Sequence, residues 1–198
     1  TGDLIGILSV MIAIIGIVIA LSSNDDTDRR TELIAIIYDR TNCGLEDVSQ
    51  CPHQASTKER VEAAKAFVAL EKAQERQPDL ANSNLREADL SGVNLSEVNL
   101  SDADLTGAVF LGANLSKANL SGTDLGGANL TGANLSRASI NNVNLNDADL
   151  TGANLSEADL TNTDLTNAAY NNSTKWPDGF NPFEYGAINL DEVGEETE

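Results

Sequence analysis

Residues 90–120 read LSGVNLSEVNLSDADLTGAVFLGANLSKANL, with a leucine or phenylalanine at every fifth position. An α-helix repeats its faces about every 3.6 residues and a strand every two, so neither keeps a constant phase at a period of five. The stretch therefore predicts a backbone that is neither an isolated helix nor an ordinary strand, and this prediction decides the fold.

The five-residue phase holds without a slip from residue 84 to residue 170. Of the eighteen central positions between 85 and 170, fifteen are leucine, and the others are Phe110, Ile140 and Tyr170. A small residue, most often alanine, lies two positions before each centre, and Asn or Asp usually lies directly before it. Small polar residues or charged residues usually follow, so the motif is A-[N/D]-L-[S/T]-x.

This motif resembles that of the pentapeptide-repeat family, over a little under half of the chain. The resemblance implies an all-β solenoid, a right-handed quadrilateral β-helix with one pentad per side and four pentads per coil. Alternate residues of an extended stretch point the same way, so each centre and the residue two before it are expected to face inward. We therefore expect a β-helix over residues 78–170, with leucine and alanine inside and polar residues outside.

Aligning the sequence in steps of twenty residues places similar side chains in columns. One column consists of glycines: Gly92, Gly112, Gly132 and Gly152. A second carries charges of both signs: Glu97, Lys117, Arg137 and Glu157. A third is acidic or amidic: Asp104, Asp124, Asn144 and Asp164. Two interpretations of the glycine column stay open, namely corner geometry that glycine adopts freely and a smooth strip that faces a partner.

The N-terminal segment, residues 1–21, predicts a transmembrane anchor helix. Its residues 4–21, LIGILSVMIAIIGIVIAL, carry no charge, and a helix of that length spans roughly 27 Å of a ~30 Å hydrocarbon core. A cleaved secretory signal is the alternative, but such signals begin with basic residues. Small residues spaced three and four apart predict a face that packs against another transmembrane helix: Gly6, Ser9, Ala13, Gly16 and Ala20.

Residues 22–57 predict a polar connector that contains the only two cysteines, Cys43 and Cys51. Three interpretations stay open: a disulfide in an oxidising compartment, two reduced thiols, or a metal site that includes His53. The metal site is the least favoured of the three, because a closed structural zinc site takes four ligands.

Residues 58–77 predict a short capping helix. Ser56 and Glu59 fit the capping-box pattern at its start, and Pro78 prevents its continuation. Because this helix ends where the repeat begins, we expect it to cover the open N-terminal end of the β-helix, as solenoids require.

After residue 170 the motif ends, and residues 171–198 predict an aromatic cap followed by an acidic tail. The aromatic residues at this end are Tyr170, Trp176, Phe180, Phe183 and Tyr185. We expect them to cover the last coil, because an open β-edge is liable to pair with another chain. Contact with a partner or a pigment is the alternative.

Composition and motifs exclude several classes of function. The formal net charge of −19 is unsuited to binding a phosphate backbone, which requires clustered cations. No P-loop or dinucleotide-binding fingerprint occurs in the sequence. We therefore expect no enzyme activity, no cofactor, no metal, no nucleic acid and no small-molecule substrate, with peripheral contact to pigment or lipid left open.

These features predict a non-catalytic scaffold subunit of a membrane protein complex. The end TKWPDGFNP at residues 174–182 is similar to that of cyanobacterial family members, which occur in or beside photosynthetic membranes. The resemblance thus implies a single-pass thylakoid protein with photosystem or antenna proteins as partners. The alternatives are a membrane-tethered regulatory binding protein and an acidic DNA mimic. Arginines after the span favour a cytoplasmic rod, whereas the cysteine pair favours the lumen, and we expect the lumen.

Overall fold

The structure is a computed structural model that describes Leu33 and residues 56–192. It contains a helical unit that ends at Arg76 and a repeat unit that begins at Gln77. The predicted anchor, the Cys43–Cys51 pair and the acidic tail beyond Glu192 lie outside the described residues.

Helix α1 runs from Thr57–Ala73 and begins at the predicted capping box. The Ser56 hydroxyl accepts a hydrogen bond from the Glu59 N–H at 3.3 Å, and the Glu59 carboxylate accepts one from the Ser56 N–H at 2.7 Å. The helix ends before Pro78 because Glu75 adopts a left-handed conformation, with a φ of 56°. The Arg76 N–H then reaches back to the Glu71 carbonyl at 2.9 Å, which is the long bond of a Schellman motif.

The repeat unit is a β-helix with four pentads per coil. Parallel bridges join residues twenty apart along the ladder, such as Asn94 with Asn114, Asn114 with Asn134, and Asp124 with Asn144. Twenty residues per coil is the four-sided period that the family resemblance implies.

The interior of the β-helix is packed with the central residues of the pentads. Every centre from Leu80 to Leu165 is buried, including Phe110 and Ile140. The small residues two positions before them face the same way and are nearly all buried. Leucine fills the middle of each side, and alanine fits where a larger side chain would meet its neighbour across the coil.

The corners explain the remaining positions of the motif. Every fifth residue from Asn82 to Asn167 has a positive φ, from 55° at Asn142 to 72° at Gly122, as the third residue of a type II turn requires. The Asn or Asp before each centre usually accepts a hydrogen bond from the N–H two residues on, as Asn114 does from Ser116 at 3.1 Å. Asx hydrogen bonds of this kind favour turns, so polar residues here specify the corner.

Pairing continues past residue 170, the boundary that the sequence predicts. Lys175 bridges to Asn154. Strand β1 (Ala169–Tyr170) pairs in parallel with strand β2 (Ile188–Asn189). A 3₁₀-helix over Pro182–Tyr185 lies between them. The last coil is therefore built on two sides by ladder pairing and on the other two by an irregular segment rich in proline and glycine.

Candidate functional surfaces

The glycine column lies at one corner of the β-helix. Its members have φ values of 62–68°, but the same conformation is adopted by asparagine, aspartate, glutamate, lysine and arginine at other corners. A Cβ atom at Gly92, Gly112 or Gly132 would meet nothing within 4 Å. Neither space nor backbone geometry alone therefore demands glycine at this whole corner, so the partner-facing strip stays a prediction.

Apolar side chains lie beside the glycine column. Leu111 directly precedes Gly112 and is 51% exposed, at a position that is polar in most pentads. Val109, on the same side of the same coil, points outward and is half-buried. These residues form, with the glycines, a surface less polar than the regular motif produces.

The charge column forms two ion pairs between neighbouring coils. The Lys117 ammonium lies 2.9 Å from the Glu97 carboxylate. The Arg137 guanidinium donates two hydrogen bonds to Glu157, at 2.9 and 3.2 Å, and this partner raises the pKa of Arg137. All four side chains are exposed, so these pairs add little to stability but neutralise one corner of an acidic molecule.

The acidic and amide column lies on another face, and one side-chain hydrogen bond joins two of its members in neighbouring coils. The Asn144 amide donates to the Asp124 carboxylate one coil away at 2.9 Å. The Asp164 carboxylate accepts hydrogen bonds from the Thr166 hydroxyl and N–H, and both lower the pKa of Asp164. The corresponding bonds from Thr161 lower the pKa of Asp159 on the adjoining side. These two carboxylates are therefore held ionised at the surface.

The aromatic residues at the C-terminal end form a continuous stack. Tyr170 contacts Trp176 edge to face with ring centroids 5.5 Å apart. Trp176 stacks on Phe180 at 5.4 Å, and Phe180 stacks on Tyr185 at 4.7 Å. Phe183 does not join the stack and is 76% exposed.

A cleft of about 270 Å³ opens beside this stack. One wall consists of β-helix residues, namely Ala158, Leu160 and Thr161. The other wall consists of residues of the irregular segment: Pro177, Asp178, Gly179, Phe180 and Tyr185. The pentad motif does not predict this cleft. Its only signal was the cluster of prolines and Gly179 that interrupts the pentad pattern.

The remaining predicted site residues lie outside the residues that the structure describes. They are the small-residue packing face of the anchor, Cys43, Cys51 and His53. Among Leu33 and residues 56–192, no helix combines the length and apolar character needed to cross a bilayer. Within the same residues, no group of three or more His, Cys, Asp or Glu side chains is placed to hold a metal ion.

Comparison with known proteins gives one family and several solved structures. The family model for pentapeptide repeats matches in eight copies, over residues 79–112, 94–132 and 128–167. No curated protein matches the chain.

Three similar solved structures are all described as pentapeptide repeat proteins. One, from the thylakoid lumen of Arabidopsis thaliana, is 30% identical over 51% of this chain and 70% of that chain, with a TM-score of 0.48. One from Nostoc is 30% identical over 63% of this chain and 93% of that chain, with a TM-score of 0.34. One from the cyanobacterium Cyanothece is 40% identical over 46% and 65%, with a TM-score of 0.27.

Proposed function

This chain belongs to the pentapeptide-repeat family, and we propose that it is a non-catalytic scaffold subunit of a membrane protein complex. The observation that carries the proposal is the filled interior, since every centre from Leu80 to Leu165 is buried. A solenoid packed in this way offers its outer faces and its ends for recognition. Repeat proteins of this architecture use such extended surfaces to bind other proteins.

The glycine column and its apolar neighbours are the surface that we assign to the host complex. An exposed leucine, Leu111, next to a corner without side chains allows another backbone or helix to approach closely. The paired charges of the neighbouring corner, such as Lys117 with Glu97, reduce the repulsion that an acidic rod would exert on acidic partners.

The proposed host is a photosystem or antenna complex in a thylakoid membrane, with integral membrane subunits as the partners. Support comes from the sequence: an apolar segment of anchor length at residues 4–21, and the resemblance of the C-terminal end to cyanobacterial family members. The cysteine pair supports a rod in the lumen, because disulfides persist in oxidising compartments.

Affinity purification of the full chain from detergent-solubilised membranes tests the scaffold role. A scaffold is expected to retain a fixed set of integral membrane proteins at constant stoichiometry, and high salt is expected not to release them. If soluble proteins bind only under particular growth conditions, the chain is a regulator rather than a scaffold.

Thiol labelling tests the side of the membrane. On sealed, oriented thylakoid vesicles, a membrane-impermeant maleimide is expected to leave Cys43 and Cys51 unmodified until the vesicles are opened and the protein is reduced. Labelling of intact vesicles without a reductant would place the rod on the outer side and leave the scaffold test unaffected.

A further inference from the structure

The C-terminal end of the β-helix presents an unpaired stretch of backbone on one side. In earlier coils, the backbone N–H of the central residue on this side donates a hydrogen bond to a backbone carbonyl of the next coil. The donor and acceptor pairs are Leu80 and Asn99, Leu100 and Asn119, Leu120 and Ser139, and Ile140 and Asp159, all at 2.7–2.8 Å. The Leu160 N–H, next in this series, has no acceptor within the described residues.

Two further groups on the same edge lack the partners that their equivalents have. The Asn142 N–H donates to the Thr161 carbonyl, but the Asn162 N–H has no acceptor in residues 56–192. The Ala138 carbonyl accepts from the Asp159 N–H, but the Ala158 carbonyl accepts no backbone N–H in that part of the chain. Three groups that continue a parallel ladder are therefore unpaired.

The edge is open because the last coil is too short on this side. Fifteen residue steps separate Asn154 from Ala169, but only thirteen separate their bridge partners, Lys175 and Ile188. Proline lacks an N–H and does not continue a ladder, and Pro177 and Pro182 lie in this shortened segment. The chain thus crosses the end of the coil without pairing with residues 158–162.

The cleft described above lies at this same edge, since Ala158, Leu160 and Thr161 line it. Its volume of about 270 Å³ is below the ~300–1,000 Å³ of typical small-molecule sites. Phe180, Tyr185 and Pro177 provide an apolar wall. A row of free backbone groups beside a pocket of side-chain size matches the recognition of an extended peptide, in which main-chain bonds give affinity and a pocket gives specificity.

The charges around the edge select the peptide. Residues 157–192 contain seven carboxylates and a single cation, Lys175, and of the seven carboxylates Glu157 is paired with Arg137. Asp178 lies in the cleft wall, and Asp159 is exposed beside the unpaired groups. Complementary charge accelerates encounter and suppresses partners of like charge.

We propose that the edge at residues 158–162 binds an extended, basic segment of another protein as an added parallel strand, with one apolar side chain of that segment in the cleft. The acidic surroundings disfavour this chain's own last residues, VGEETE at 193–198, which carry three glutamates and no cation. They equally disfavour a second copy, because the formal net charge of the chain is −19. The inference rests on the proposed role in binding other proteins and names the chemistry of one partner.

The test uses the full chain and a fluorescein-labelled nine-residue peptide of alternating lysine and valine with a central phenylalanine. We expect saturable binding by fluorescence anisotropy. We also expect the amide protons of Leu160 and Asn162 to exchange at least about tenfold more slowly in the complex, as newly hydrogen-bonded amides do. The amides of Ile140 and Asn142, which are already bonded, are expected not to change.

A second peptide separates strand pairing from charge attraction. It has the same sequence, but its backbone nitrogens are methylated at alternate residues along the edge that pairs, so it keeps every charge. We expect it to bind about tenfold more weakly, because it cannot form the main-chain bonds. Equal affinity of the two peptides, or unchanged exchange at Leu160 and Asn162, would overturn the proposal.

Two matched variants test whether the acidic residue in the cleft wall contributes to peptide binding. Asp178→Lys changes the cleft wall, and Asp147→Lys makes the same change at an exposed corner that does not line the cleft. We expect Asp178→Lys to weaken binding several-fold more than Asp147→Lys, and equal effects would contradict the site.

Hydrogen exchange of the chain without peptide tests two other occupants of the edge, the C-terminal tail and a second copy of the chain. If truncation after Glu192 speeds exchange at Leu160 and Asn162, the tail occupies the edge. If their exchange slows as the protein concentration rises, a second copy occupies it. Either result overturns the proposal, and neither affects the co-purification test of the scaffold role.

Discussion

The indole ring of Trp176 meets the phenol ring of Tyr170 edge to face, with centroids 5.5 Å apart and an interplanar angle of 89°. Each ring lies one coil beyond a buried leucine. Tyr170 lies one coil beyond Leu150. Trp176 lies one coil beyond Leu155, because Lys175 bridges to Asn154. Such edge-to-face contacts are favourable because a positive ring edge is attracted to a negative ring face. The indole Nε1 of Trp176 is buried and lacks a conventional hydrogen bond within the described part of the chain.

Trp176→Ala is expected to loosen the last coil. It removes contacts with both Tyr170 and Phe180, and truncation of a large aromatic residue costs about 3–5 kcal/mol when it is fully buried. Because Trp176 is only half-buried, we expect about 3 kcal/mol, measured as faster hydrogen exchange of the Leu155 amide that bonds to Lys175 at 2.7 Å. Phe183→Ala, at a ring that is 76% exposed, is the control and is expected to change stability by less than about 0.5 kcal/mol.

Phe110 and Leu111 are neighbours with opposite roles. Phe110 is fully buried in the interior, and Leu111 is 51% exposed. We expect Phe110→Ala to lower the free energy of unfolding by about 3–5 kcal/mol and Leu111→Ser to change it by less than about 0.5 kcal/mol. Urea unfolding followed by circular dichroism measures both, and similar effects of the two substitutions would contradict an inward-facing pentad centre.

The hydroxyl of Thr166 is expected to control the titration of Asp164. It donates to the Asp164 carboxylate at 2.6 Å, the Thr166 N–H donates at 2.9 Å, and both lower the pKa of Asp164. Because the folded pKa lies below the unfolded value of about 3.9, this group stabilises the fold above that pH and loses its contribution as the pH falls through the folded pKa.

Thr166→Val removes the hydroxyl donor, so the pKa of Asp164 is expected to rise toward its ordinary value. The variant is then expected to be less stable than the parent at neutral pH, with the difference vanishing under acid conditions. Carbon-13 NMR titration of the carboxyl group measures the pKa directly. Thr166→Ser keeps the hydroxyl and is expected to keep the low pKa, so a rise in that variant would contradict the assignment.

The sequence predicts the coil well because the motif encodes inside and outside separately. Leu105, Leu125 and Leu145 are each no more than 1% exposed, as the fixed phase of five predicts. The capping box of α1 can also be predicted from the sequence, because the contact between Ser56 and Glu59 needs only local geometry. The sequence predicts these features because they depend on residues that are neighbours in sequence or lie one coil apart.

The C-terminal end of the β-helix is harder to predict from the sequence, because no repeat specifies it. Pairing of Ile188 with Ala169 depends on where the chain returns after Pro177 and Pro182, and spacing along the sequence does not determine that. The unpaired Leu160 N–H follows from the same return path. The sequence places five aromatic residues at this end, and four of them form the stack while Phe183 stays exposed. The cleft beside the stack depends on backbone that the motif does not describe.

The glycine column makes a prediction that separates stability from binding. Asparagine occupies the equivalent position at other corners with φ values of 55–59°, at Asn82, Asn142 and Asn162. A variant with asparagine at all four glycines of the column is therefore expected to fold, with a change of less than about 1 kcal/mol per corner. Its new side chains are expected to prevent close approach of the host complex, so the integral membrane proteins are lost from affinity purification.

Gly107→Asn and Gly127→Asn together provide the matched control, because both glycines also have positive φ, at 67° and 65°, but lie in a different corner column. At Gly127 a Cβ meets nothing within 4 Å, and at Gly107 it meets only a Glu87 side-chain carbon at 3.6 Å, so the added side chains are tolerated. This control is expected to fold and to retain its partners. If the column variant folds and also retains them, the glycine strip is corner geometry alone and the host contacts another face of the rod.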